Sequence, residues 1–250
     1  MATATFRIWR GDATQAAFKD YTTEVSEGMV VLDAVHRIQA EQAHDLACRW
    51  NCKAGKCGSC SAEINGKPKL MCMTRLSDVP LDAPVTIEPM RTFPLIKDLV
   101  TDVSWNFRVK KAIRKFAPRK PDAPDGTWRM AQADIDRVQE FRKCIECFLC
   151  QDVCHVLRDH QLHDKFIGPR FLLYTAGMEM NPLDTDDRLR DLKTQNGIGY
   201  CNITKCCTKV CPEHIGITDN AIIPLKERVV DEFYDPLRKI LNVFRKKPQP

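Results

Sequence analysis

Between Cys144 and Cys154, four cysteines stand at the spacing C-x2-C-x2-C-x3-C. A run of that form wraps a cubane iron–sulfur cluster with three thiolates and offers its fourth to a second cluster. The run is incomplete by itself, so a distant Cys segment has to close both sites. Residues 201–212 supply it: Cys201, Cys206, Cys207 and Cys211 precede Pro212, with the same C-x3-C-P ending.

A third thiol-rich stretch lies nearer the N-terminus. Cys52, Cys57 and Cys60 follow C-x4-C-x2-C, with Cys72 downstream, the plant-type spacing for a 2Fe–2S cluster. Four thiolates on two ferric ions leave net negative charge, so backbone amides have to turn inward towards the sulfurs. Gly55 and Gly58 permit the φ values that such a wrap needs. Lys53 and Lys56 are expected to favour the reduced cluster and raise its potential. Zinc is the alternative occupant, but zinc sites prefer two separated C-x2-C knuckles. Cys48 reads as an inert packed thiol, and Cys206 as a thiol turned away from its neighbour Cys207 into the domain core.

The remaining composition narrows the class. No apolar run approaches the roughly 20 residues needed to span a bilayer, and residues 1–12 lack the apolar stretch of a signal peptide. Thirteen cysteines in a chain without an export signal ask for metal rather than disulfides. The net charge is +5, with basic clusters at 108–120 and 245–247. These suit solvated faces, an acidic partner or an anionic membrane surface. Aromatic and basic residues do not interleave as a nucleic-acid groove requires, so no nucleic-acid partner is expected. His160 and His163 share a helical spacing but lack a third ligand, and no Cys/His pair carries a nucleophile motif.

Periodicity places strands at 3–9, 21–25, 61–64, 69–73 and 85–87, with Asn65-Gly66 as a type I′ hairpin turn. A helix is expected over 31–42, and an ordered loop over 46–60. Together these predict a small mixed sheet carrying one helix. Further helices are expected over 105–116, from 130, and over 153–163, 168–178 and 219–244. Pro118, Pro121 and Pro124 break the chain between them.

One 2Fe–2S loop, then Cys144–Cys154, then Cys201–Pro212, resembles the iron–sulfur subunit of succinate dehydrogenase and fumarate reductase, the electron-transfer arm of respiratory complex II. The likeness runs over essentially the whole chain, including Phe166-Ile167-Gly168-Pro169-Arg170. It implies an α+β chain: a plant-ferredoxin-like (β-grasp) domain over 1–105, then an all-α bacterial-ferredoxin-like domain over 106–250. By position, Cys52, Cys57, Cys60 and Cys72 match 2Fe–2S ligands. Cys144, Cys147, Cys150 and Cys211 match 4Fe–4S ligands, and Cys154, Cys201 and Cys207 match 3Fe–4S ligands. The resemblance also implies an FAD-containing flavoprotein partner, a membrane anchor that reduces quinone, and a peripheral place on the cytoplasmic face of the plasma membrane. The expected activity is succinate:quinone oxidoreduction. Fumarate reduction, or service to another flavin dehydrogenase, is the alternative.

Two departures stand out. Where several family members have Pro, Trp and His around quinone, this chain has His155, Asp159 and Asn202. Quinone is therefore expected deeper in the anchor. Thr204 stands where a complete second run would place a cysteine, so the third cluster is expected to hold three irons. No dinucleotide motif or Arg/His substrate cluster occurs, so this chain is not expected to bind the dicarboxylate.

Overall fold

The computed structural model describes residues 2–236. The chain forms two compact units. One gathers 1–108 with 144–161 and 206–214; the other gathers 109–143 with 162–205 and the residues from 215.

In the first unit, β1 (Ala2–Gly11) and β2 (Ala16–Val25) form an antiparallel hairpin. β3 (Ser61–Ile64), β4 (Lys67–Leu70) and β5 (Val85–Glu88) complete a sheet of order β2-β1-β5-β3-β4. β5 runs parallel to β1, and the other pairings are antiparallel. Alternation sets the faces: Phe6 and Ile8 are fully buried, whereas Arg7 meets Asp20 opposite at 2.8 Å. Helix α1 (Val31–Glu41) buries Val31, Leu32, Ala34, Val35 and Ile38 in the same core. Asn65 and Gly66 take φ of 49° and 70°, the pair of positive values that a type I′ turn needs. Replacing Phe6 by alanine is expected to cost about 3–5 kcal/mol, read as a lowered urea midpoint by circular dichroism.

A second hairpin, β6 (Leu95–Lys97) with β7 (Val100–Thr101), is too short to show alternation in the sequence. Helix α2 (Ser104–Ala112) and helix α3 (Gln132–Gln139) follow. The Cys segments of this unit carry three single turns: α4 (Leu149–Asp152), α5 (His155–Arg158) and α8 (Cys206–Lys209). The helix expected over 153–163 therefore stops at Arg158. The Asp159 and His160 amides both fold back onto the His155 carbonyl, and Gln161 takes a positive φ of 54°.

The second unit is helical, with α6 (Gly168–Glu179), α7 (Leu189–Thr194) and α9 (Ile223–Phe233) beside α3. Helix α6 buries Phe171, Leu172, Leu173 and Ala176, which explains its all-round apolar sequence. A π-type turn over Ile217–Ile222 leads into α9, so the helix expected over 219–244 starts earlier and ends at Phe233. Residues 237–244 and the basic cluster at 245–247 lie outside the described residues. Short, polar α7 carried no periodic signal.

Candidate metal centres

The first thiol loop has no regular structure, and its backbone is shaped by three positive φ values: Lys53 at 55°, Gly55 at 67° and Gly58 at 68°. The consequence is a set of amides aimed at sulfur. Ala54 N and Lys56 N donate to Cys52 Sγ at 3.4 and 3.3 Å. Ser59 N donates to Cys57 Sγ at 3.5 Å, and Cys72 N to Cys60 Sγ at 3.4 Å. A neutral thiol is a weak acceptor; donors turned on it suit a thiolate.

Burial works against the Cys57 thiolate, but hydrogen bonds from Ser59 and Cys52 outweigh it and bring the thiol down to about 6. Cys60 is pushed up to about 12 by its burial. A buried thiolate of that kind needs a cation beside it, and four sulfurs at plant-type spacing fit a pair of irons. Cys52 is exposed, Cys57 half-buried, and Cys60 and Cys72 buried.

The other thiols of this unit fall into two groups. Burial pushes Cys147 up to about 12, with the charges of Cys144 and Cys211 adding to it. Burial also pushes Cys154 up to about 12, with the charges of Cys206 and Cys207 adding to it. Each group thus concentrates thiols where a bare thiolate is costly, which fits a cubane cluster. Positive φ at Glu146 (56°) and Phe148 (61°) bends the chain around Cys147. Cys150 is buried on α4 and Cys211 half-buried. Cys201 belongs to the other unit, half-buried at the end of a 3-10 turn over Ile198–Tyr200. There Lys226 Nζ donates to its carbonyl.

One expectation is corrected: Cys206 does not pack into the core but is half-buried and lines a cleft of about 620 Å³ with Leu149, Val153 and Lys209. Lys56 Nζ lies 2.9 Å from Glu213 Oε1, and Lys53 Nζ stands 4.9 Å from the Trp50 ring centre. Cys48 packs against the sheet core, and burial pushes its thiol up to about 12.

Several residues at the site had no sequence signal. Glu63, in a short strand, looks solvent-facing, yet it is fully buried, with Oε2 2.9 Å from Arg158 Nη2 and 3.5 Å from Arg91 Nε. Asp152, between Cys150 and Cys154, is also fully buried; burial and then the Glu63 charge raise its carboxyl to about 7. Thr92 ties to it, N to Oδ1 and Oγ1 to the carbonyl, both at 3.1 Å. Of the positions set aside for quinone, His155 is half-buried with its ring 6.3 Å from that of His160. Asp159 and Asn202 are exposed, Asn202 in the other unit. Among the described residues, no helix is long and apolar enough to cross a membrane.

Comparison with known proteins agrees with this chemistry. Residues 5–108 match the family described as a 2Fe–2S iron–sulfur cluster binding domain, and residues 140–215 match the 4Fe–4S dicluster domain. The fumarate reductase iron–sulfur subunit of Mycobacterium tuberculosis is 33% identical, over 79% of this chain and 80% of that protein. The fumarate reductase iron–sulfur subunit of Escherichia coli O6:H1 is 31% identical, over 81% of this chain and 82% of that protein. A chain of the Mycobacterium smegmatis Sdh1 complex, solved in the apo form, superposes with a TM-score of 0.91 at 60% identity, covering 94% of this chain and 98% of that one. An α+β chain with three thiol sets and relatives of this kind is an electron carrier, and it belongs to the family of succinate dehydrogenase and fumarate reductase iron–sulfur subunits.

Proposed function

We propose that this chain is the electron-transfer subunit of a succinate:quinone oxidoreductase, peripheral on the cytoplasmic face of the plasma membrane. It takes electrons from an FAD-containing flavoprotein and delivers them to quinone held by a membrane anchor. The observation that carries the succinate reading is the 60% identity, over nearly the full length of both chains, with the Sdh1 complex chain. Residues 1–105 form the domain of the first cluster and 106–250 supply the ligands of the other two.

In this reading Cys52, Cys57, Cys60 and Cys72 hold a 2Fe–2S cluster. Cys144, Cys147, Cys150 and Cys211 hold a 4Fe–4S cluster, and Cys154, Cys201 and Cys207 a 3Fe–4S cluster. The clusters supply one-electron carriers. The chain's own part is to hold thiolates, aim amides at them, and exclude water from Cys60, Cys147 and Cys154, all under a tenth exposed. The dicarboxylate is oxidised on the flavoprotein, not here. Without an aromatic wall at His155, Asp159 and Asn202, quinone sits deeper in the anchor.

The test is redox-titrated low-temperature EPR of the purified complex, with succinate-driven quinone reduction measured beside quinol-driven fumarate reduction. Three distinct paramagnetic centres and faster succinate oxidation are expected. A colourless protein containing zinc would overturn the reading, and faster fumarate reduction would reverse its direction.

A further inference from the structure

The loops carrying Cys57 and Cys147 touch backbone to backbone. A Cβ on Gly58 would stand 2.6 Å from Cys147 Cα and 2.9 Å from its Cβ and N. Ordinary carbon contacts are about 3.5–4.0 Å, so not even a methyl group fits between them. The Ser61 hydroxyl lies 2.9 Å from the Gly58 carbonyl and 2.8 Å from the Cys147 carbonyl. Its one proton can go to either oxygen, but only donation to the Cys147 carbonyl ties the two loops together, whereas donation to the Gly58 carbonyl stays within the first loop. Cys60, Ser61 and Cys147 are all under a tenth exposed. Immediately alongside, the loops part around a cleft of about 410 Å³ lined by Cys57, Ser59, Cys144 and Phe148. Close, dry approach is concentrated at Gly58, Ser61 and Cys147.

Electron transfer between separate centres falls steeply with each ångström of non-bonded gap, and much less along covalent bonds or a short hydrogen bond. Two routes cross here with a single jump. One runs from Cys57 along its backbone to Gly58 and across the contact to Cys147. The other runs from Cys60 to Ser61 and through the hydroxyl to the Cys147 carbonyl. Both arrive at the same residue. We infer that Cys147 receives the electron passing from the first thiol set to the second, and that Gly58 and Ser61 are positioning residues that keep this step short. One electron moves, the donor centre is oxidised and the acceptor reduced, and no bond or proton changes place. The inference rests on the cluster assignment proposed above.

The experiment uses the assembled complex carrying Gly58→Ala, Ser61→Ala or Ser61→Thr. Redox-titrated EPR first establishes that the first two clusters are present at wild-type potentials. Rapid-freeze EPR after mixing with succinate then times the lag between reduction of the first cluster and of the third. Displacements of about 1 Å cost up to about 10²-fold where geometry is critical, and Gly58→Ala is expected to lengthen the lag about tenfold. Ser61→Ala should lengthen it less, and Ser61→Thr, which keeps the hydroxyl, should restore it. Should Gly58→Ala lose its first cluster, the two Ser61 variants still decide. Fully loaded Ser61→Ala with a wild-type lag overturns the inference, as does a fully loaded Gly58→Ala with one. Absence of the cluster signals from the wild type would instead sink the cluster assignment.

Discussion

Arg188→Ala is expected to destabilise the helical unit by about 3–5 kcal/mol, the usual cost of removing one partner from a buried ion pair. Arg188 and Asp184 are each about 1% exposed, with Nη1 3.0 Å from Oδ2. The angle of that contact is too poor for a hydrogen bond, so the guanidinium's good hydrogen bonds go elsewhere. Nε donates to the Arg114 carbonyl at 2.9 Å and Nη2 to the Lys115 carbonyl at 2.5 Å. Asp184 Oδ1 in turn accepts from Ala117 N at 3.1 Å and Asp186 N at 3.0 Å.

The cation thus straps the segment after α2 to the segment before α7, and alanine would strand a buried carboxylate and two carbonyls. Arg188→Lys should recover little, because an ammonium cannot reproduce the planar fork that reaches both carbonyls and the carboxylate. Hydrogen exchange over 114–119 and 183–188 would report the opening locally. Unchanged protection there would show that the pair contributes nothing. Helix α2 ends at Ala112, short of the expected Phe116, and the carbonyls at 114 and 115 beyond its end are engaged by Arg188.

Thr204→Cys is expected to convert the third cluster from three irons to four. A hydroxyl is a poor iron ligand beside thiolates, so in the proposed ligand set one cubane corner has no protein ligand. Loss of the oxidised-state signal of a three-iron cluster, with a new signal on reduction, is the expected EPR result. The added thiolate should also lower the cluster potential. Cys206 sharpens this test because it adjoins Cys207 and is half-buried rather than packed in the core. If the wild type lacks the three-iron signal and Cys206→Ser gains it, Cys206 fills the corner and the count of three is wrong.

Much of this protein is local information. The intervals between cysteines distinguish a plant-type loop from a cubane run because each interval reflects how far the chain reaches around a cluster. The alternation through Phe6 and Ile8, and the apolar stripe from Val31 to Ile38, likewise report on the next few residues alone. Hence the sheet, its helix and the Asn65-Gly66 turn were legible. Where the chain folds back on itself within a few residues, as at His155, periodicity overran the true helix end.

The tertiary structure decided what depends on residues far apart in sequence. It gathered 144–161 and 206–214 into one unit with the N-terminal sheet, a grouping that no local pattern contains. It buried Glu63 against Arg158, 95 residues away, in a strand whose polar residue reads as solvent-facing. It set Gly58 against Cys147, so a glycine explained at first by its φ alone is also required by the backbone passing within 2.6 Å of its missing Cβ. And it left Cys206 half-buried at the edge of a cleft, although adjacency to Cys207 suggested packing in the core. The physical reason is common to all four. Spacing along a chain encodes what a segment can wrap, whereas burial, charge pairing and backbone contact are settled only when distant segments share one volume.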